Sequence, residues 1–196
     1  AAPLPVSGVY LVTDQGERLV DRVRTALHGG ASVLQYRAKD KPPELCREEG
    51  EKLKRLCRMC GVPFSVNDDM VLARELDADG VHLGQDDGGI ADAREFLGPG
   101  RIIGKSTHDL EEALRAEQEG ADYIGFGAMY PTGSKNVTRI AGTAGLADVR
   151  GRIRIPIVAI GAVVNLVFAA TLVPIITKAL PSASAAGSLS GFDVGA

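Results

Sequence analysis

Short apolar runs alternate along the chain with segments whose apolar residues recur at helical spacing. The runs are Gly8–Asp14, Ser32–Lys39, Pro63–Asp69, Gly80–Asp87, Arg101–Ser106, Tyr123–Tyr130 and Ile155–Gly161. Helices are expected over Leu19–Leu27, Pro43 to about Cys60, Met70–Ala78, Ile90–Leu97 and Asp109–Glu119, with a further one opening at Gly145. Their ends carry suitable residues. Pro43 suits a first turn, the His28-Gly29-Gly30 close and Gly61 suit a left-handed helix end, and Asp109 suits an N-cap. A strand, a helix and a second strand in about 25 residues form a βαβ unit, which requires parallel strands. Parallel neighbours end on the same side, so the carboxylates closing Pro63–Asp69 and Gly80–Asp87 project from one rim.

One pattern occurs twice. Asp77-Ala-Asp-Gly-Val-His-Leu-Gly84 and Gly120-Ala-Asp-Tyr-Ile-Gly-Phe-Gly127 correspond position by position, at a spacing of two βα units of about 21 residues each. Polar residues follow strands two to six instead of gathering at one crevice. This favours an α/β fold of the single (β/α)8 TIM-barrel kind over an open doubly wound sheet. The whole chain, residues 1–196, is expected to form that one domain.

Composition narrows the chemistry. The chain is 45% hydrophobic and 24% charged, as expected of an ordinary globular domain. A net charge of −3 with no long basic run, no tryptophan and few aromatics argues against a nucleic-acid partner. An anionic ligand must therefore meet a local cluster of cations. Cys46, Cys57 and Cys60 lie near one helical stripe with Gly50 and Leu53, so buried structural thiols are expected. Cys57-x-x-Cys60 has no second pair to complete a tetrahedral metal site. The opening Ala1–Val6 has neither the basic start nor the apolar core of a secretory signal, and free thiols fit a cytoplasmic setting.

Sorted by sign, the expected rim has two halves. Arg37, Lys39 and Lys135 are cationic, with Lys105 nearby, while Asn67, Asp68, Gln85, Asp86 and Asp87 supply oxygen donors. Ser106, Thr132 and Ser134 add hydroxyls. Paired carboxylates facing cations suit a hard divalent ion and a diphosphate that chelates it. The competing reading makes the aspartates mere helix caps. No nucleophilic cysteine and no Gly-x-Ser-x-Gly turn is present, which argues against covalent acyl transfer. His82 is expected to be packed or helix-facing, His108 to lie in a loop or cap, and His28 to sit at a helix C-terminus.

Several stretches together resemble the thiamine phosphate synthase family. They are Tyr10–Asp14, Gln35–Lys39, Val66–Asp69, Ala78–Asp87, Gly104–Ser106, Gly120–Gly127, Tyr130–Lys135 and Ile155–Gly161. The resemblance implies joining of hydroxymethylpyrimidine diphosphate to a thiazole phosphate, with release of pyrophosphate and with Mg2+ as cofactor. It implies Asp68 and Asp87 as magnesium ligands. Pyrimidine-diphosphate contacts are implied at Gln35, Tyr36, Arg37, Ala38, Lys39, Asn67, Ser106 and Lys135. Thr132, Gly133 and Ser134 match part of the thiazole-phosphate loop. Arg37, Lys39, Ser106 and Lys135 are the residues expected to act in catalysis. The partners implied are small molecules, and homo-oligomerisation is left open.

The resemblance breaks after Gly161. Ala162 stands where the family has a second glycine of the thiazole-phosphate site, and an Ala-, Ser- and Gly-rich tail runs to Ala196. A methyl group there hinders close approach of backbone N–H groups to phosphate. Ile155–Thr177 carries no charge before Lys178, long enough to raise a membrane span, but Pro156, Asn165 and Pro174 interrupt it. A buried helix over Asn165–Leu172 and a closing strand near Val173–Thr177 are expected instead. Two other readings compete: a tautomerising isomerase of the same barrel family, and a non-catalytic binder of thiamine precursors. The isomerase carries a catalytic histidine where Ala128 stands here.

Overall fold

The structure, a computed structural model, describes residues 8–130 and 140–161. Within them, seven strands and six helices alternate: β1 (Val9–Val12), α1 (Leu19–His28), β2 (Ala31–Tyr36), α2 (Pro43–Cys60), β3 (Phe64–Asn67), α3 (Met70–Glu75), β4 (Gly80–Leu83), α4 (Ile90–Leu97), β5 (Ile102–Thr107), α5 (Leu110–Gln118), β6 (Tyr123–Gly127), α6 (Gly142–Arg152) and β7 (Ile157–Ile160). All strand pairs are parallel and the strand order is sequential from β1 to β7. The sheet curls on itself. Tyr10 on β1 and Tyr123 on β6 are far apart in strand order, yet their hydroxyls lie 2.6 Å apart. The result is a nearly closed parallel α/β barrel of the TIM type. The expected closing strand, the helix before it and the uncharged stretch beyond Gly161 lie outside the described residues.

Alternation along each strand separates two layers. Leu11, Leu34, Tyr36, Val66, Leu83, Ile103, Ile124 and Phe126 face the helices and pack with Leu53, Cys57, Ile90 and Ala113. Tyr10, Val33, Ile102, Tyr123 and Val158 face inward and form a smaller cluster within the barrel. Inward glycines make room for large rings. A Cβ on Gly104 would lie 2.1 Å from Cζ of Tyr123, so only glycine admits that ring. Among the described residues no helix is long and apolar enough to cross a membrane.

The repeated Ala-Asp pattern has a mechanical role at the opposite end from the chemistry. The Asp79 amide donates to the Phe64 carbonyl at 2.8 Å, while its Oδ2 accepts from the Phe64 amide at 2.9 Å. Asp122 makes the same pair of bonds with Ile103, at 2.8 and 2.7 Å. Each aspartate therefore ties the N-terminal end of its strand to the strand before it. This is the stabilising end of such a barrel.

Three local expectations change. The last described helix, α6, opens at Gly142, not Gly145. The helix opening at Met70 ends at Glu75, not Ala78, because Asp77 turns to φ 47° and ends the helical run. Cys60 does not join the buried stripe. Cys46 and Cys57 are buried, but Cys60 is exposed because α2 closes there at left-handed Gly61 (φ 67°). Gly50 on that stripe packs so tightly that a Cβ would lie 2.3 Å from Cδ1 of Leu76.

Candidate active site

The C-terminal end of β2 is pinned to β1 before it reaches the rim. Thr13 donates its amide to the Gln35 carbonyl at 2.9 Å, and its Oγ1 accepts from the Arg37 amide at 2.8 Å. Gln35 faces inward, is buried, and donates from Nε2 to Oδ1 of Asn67 at 2.8 Å. Alternation turns Tyr36 the other way. Its ring is buried against α2 and its hydroxyl donates to Glu49 Oε2 at 2.7 Å. Burial, reinforced by the Glu49 carboxylate, pushes the Tyr36 hydroxyl well above its ordinary range. The Tyr36 side chain is thus directed away from the site, whereas Arg37, Ala38 and Lys39 follow the strand onto the rim. Asp14 is engaged elsewhere, accepting two bonds from Arg22 at 2.7 and 2.6 Å.

Asp68 and Asp87 converge at the ends of neighbouring strands. Asp68 takes the left-handed conformation (φ 64°) and donates its amide to the His82 carbonyl at 2.8 Å. Aspartate tolerates this conformation better than most side chains do. Asp87 Oδ2 accepts the Gly84 amide at 2.9 Å. Both carboxylates reach the space beside Gly84, where a Cβ would lie 2.4 Å from Asp87 Oδ2 and 3.8 Å from Asp68 Oδ1. Burial, then a hydrogen bond with Asp87 and the like charge of Asp87, raise the Asp68 carboxyl above the usual aspartate range. Lys39, with Nζ 4.0 Å from Asp68, and Asn67 act in the opposite direction. The capping explanation fits Asp69, whose side chain accepts from the Leu72 amide at the start of α3. It does not fit Asp87, since Gly89 occupies the N-cap of α4.

These two carboxylates suit one divalent ion. No group of three or more His, Cys, Asp or Glu residues that could hold a metal occurs among the described residues, which disfavours a dedicated protein cage. A magnesium ion needs no such cage, because it keeps several waters and takes its remaining ligands from substrate phosphates. A carboxylate pair in which one member is made costly to ionise also gains most from a cation placed between the two.

Beneath this rim runs a buried polar chain that sequence reasoning missed. Tyr10 and Tyr123 share a hydrogen bond, Tyr123 Oη lies 2.8 Å from His82 Nδ1, and His82 Nε2 lies 2.9 Å from Ser106 Oγ. His82 is packed, as expected, but it faces the barrel interior and not the helices. Its register opposite inward-facing Asn67 and Gly104 places it there, which alternation along β4 alone does not reveal. Burial raises the hydroxyls of both tyrosines, so both remain protonated donors. Gln85 Nε2 donates to the Ser106 carbonyl, joining the acidic loop to β5. Asp86 is exposed. His108 is an exposed loop residue just before the Asp109 N-cap of α5, and its amide donates to Glu112 Oε2 at 2.7 Å. His28 is the last residue of α1.

The structure thus brings Gln35, Lys39, Asn67, Asp68, Asp87 and Ser106 to one end of the barrel. Lys105, expected beside the rim cations, is on the helix-facing side of β5. Thr132, Gly133, Ser134, Lys135 and Ala162 lie outside the described residues. Ala128, at the position of the isomerase histidine, is buried beyond β6.

Comparison with known proteins agrees with this fold. The family model described as thiamine monophosphate synthase matches residues 9–169. The chain is 52% identical to a thiamine biosynthesis bifunctional protein, ThiED, of Geobacter sulfurreducens, covering 81% of this chain but only 32% of that longer protein. It is 45% identical to a thiamine-phosphate synthase of Methylococcus capsulatus, covering 82% of this chain and 74% of the other. Among solved structures, a thiamine phosphate pyrophosphorylase from Pyrococcus furiosus superposes with a TM-score of 0.72 at 42% identity, covering 80% of this chain and 75% of that one. With the family model spanning most of its length, the chain belongs to the thiamine monophosphate synthase family.

Proposed function

We propose that this chain is a thiamine-phosphate synthase, a transferase that joins 4-amino-5-hydroxymethyl-2-methylpyrimidine diphosphate to a thiazole phosphate and releases pyrophosphate. The observation that carries the reading is the meeting of Asp68 and Asp87 beside Lys39, next to the Gln35–Asn67 pair. That arrangement would suit a metal-chelated diphosphate at one edge and an aromatic amine at the other.

Each residue has a physical task. Arg37, Lys39 and, from beyond the described residues, Lys135 bind the diphosphate oxygens, which gain charge as the C–O bond to pyrophosphate breaks. Contacts that tighten as charge develops lower the barrier, whereas uniform binding does not. Asp68 and Asp87 would hold Mg2+, and the bound ion supplies further neutralisation of the leaving group. Gln35 and Asn67 are already hydrogen-bonded to one another, so their remaining polar atoms are oriented before the pyrimidine arrives. His82 fixes the Ser106 hydroxyl from below. Ala38 and the Tyr36 backbone complete the pyrimidine side, while Thr132, Gly133, Ser134 and Ala162 would meet the thiazole phosphate. No side-chain nucleophile is required when the thiazole nitrogen captures the pyrimidine methyl carbon as the diphosphate leaves. Holding the two rings in contact lowers the barrier further.

Free cysteines at 46, 57 and 60 accord with a reducing, cytoplasmic site of action. A pyrophosphate-release assay with both substrates tests the function. Release is expected only when both substrates and Mg2+ are present, and chelation should abolish it. Binding of the substrates without release would leave the chain a binder, and turnover of the thiazole phosphate alone would make it an isomerase.

A further inference from the structure

Among the described residues Lys105 is the one buried lysine, arginine, aspartate or glutamate, at 8% exposure. Its position on β5 is unusual for a cation. It lies between Ile103 and Thr107 on the helix-facing side, paired in register with Leu83 on β4 and Ile124 on β6. The inward residue next to it is Ser106. A lysine in that layer buries its aliphatic stem among apolar neighbours and must find acceptors for its head. Nζ finds them at the top of the barrel, donating to the carbonyls of Gly84 and Gly88, each at 2.9 Å.

Those two carbonyls bracket the turn that carries Asp87. The turn is closed internally by the Gly84 amide on Asp87 Oδ2 at 2.9 Å and by the Asp87 amide on the Gly84 carbonyl at 3.4 Å. The second bond is long and weak, and Gly88 adopts a left-handed φ of 106°. Two glycines give this segment little stiffness of its own. Gln85 ties the middle of the turn to β5 through the Ser106 carbonyl, and Lys105 adds the restraint on both of its ends. We propose that Lys105 is a positioning residue for the metal site: it touches neither ion nor substrate and sets where Asp87 sits relative to Asp68.

The inference rests on Asp68 and Asp87 being the metal ligands. Groups that orient metal ligands typically affect metal affinity by about 10–100-fold. A direct Mn2+ titration, read by the paramagnetic resonance signal of the free ion with inorganic pyrophosphate present, measures this without turnover. Lys105→Met keeps the stem and removes the donors, and it is expected to weaken Mn2+ binding by about 10-fold. Lys105→Arg restores two donors and should recover most of the affinity. Ile103→Ala, a truncation in the same layer that leaves the turn untouched, should bind Mn2+ like the parent protein. In turnover, Lys105→Met should raise the Mg2+ concentration needed for half-maximal rate while kcat at saturating Mg2+ stays close to the parent value.

If Lys105→Met does not fold, Lys105→Gln, with N–H donors on a shorter stem, provides the reading, and a folded Gln variant should also show weakened binding. Parental Mn2+ affinity in a folded Lys105→Met or Lys105→Gln protein overturns the proposal. So does an equal loss in Ile103→Ala, which would mark general loosening of the barrel. A parent protein that binds no Mn2+ overturns both this inference and the metal reading beneath it.

Discussion

The two faces of the same strands have been put to different uses. On the helix-facing side, Leu34, Val66, Leu83, Ile103 and Phe126 form an apolar shell, and the few polar groups in it reach out to partners at its edge. On the inward side, the apolar cluster is small, and above it stand two hydrogen-bonded pairs, Gln35 with Asn67 and His82 with Ser106. Because side chains alternate with a period of two, each strand end gives one residue to stability and the next to chemistry. The difference teaches that substitutions one position apart should have unlike consequences.

The sharpest test pairs Leu34→Ala with Ser106→Ala. Leu34 is fully buried, and its truncation should cost about 2–5 kcal/mol of stability, read by denaturant unfolding. Among folded molecules, its effect on pyrophosphate release should be small. Ser106→Ala should do the reverse, lowering release by on the order of 10²-fold while costing less stability than Leu34→Ala, since it removes one hydrogen bond to His82 and opens no large cavity. Equal loss of stability in the two variants would erase the division between the faces.

Tyr123→Phe probes the seam between them and should have a smaller effect. The Tyr123 hydroxyl bridges Tyr10 and His82 where all three are buried. Removing it leaves two polar groups without that partner, at a cost of about 1–3 kcal/mol. If the chain from Tyr10 to Ser106 works as a unit, turnover should fall as well, because His82 loses the contact that orients its ring. Loss of stability with no change in turnover would make the chain an internal brace alone.

Much of this layout was legible beforehand because hydrophobic period and turn residues carry it. Pro43 and Gly61 marked the two ends of α2, and Asp109 was readable as the cap of α5. The acidic ends at Asp68 and Asp87 were readable because parallel neighbours must finish on the same side. Other features were hidden for physical reasons. A period of two turns His82 away from Leu83 and Lys105 away from Ser106, but it does not say which face of either strand is the interior of a closed sheet. Lys105 looks like a rim cation in sequence because only its four-carbon stem, which the linear order does not show, decides where the charge ends. The helix stop at Asp77 was missed because left-handed aspartates carry a weaker sequence signal than glycine does.

The smallest effect concerns Asp68 and bears on why the inward face is less stable than it might be. Its folded carboxyl titrates above the ordinary aspartate range, chiefly because it is partly buried and then because it faces Asp87. A raised folded value means that the native state holds this proton more tightly than the unfolded chain does. Stability from this group is therefore highest in acid and falls as pH rises from the ordinary aspartate range through the raised value. Asp68→Asn removes the charge and still tolerates φ 64°. Without metal, it should raise the melting temperature at neutral pH by about 1–3 °C, and the gain should shrink toward acid. Added Mg2+ should stabilise the parent protein by mass action and leave Asp68→Asn unmoved, reversing their order. An Asn variant that melts lower at neutral pH without metal would mean that the carboxylate pair is not strained, and the polar face would then need no cation to offset it.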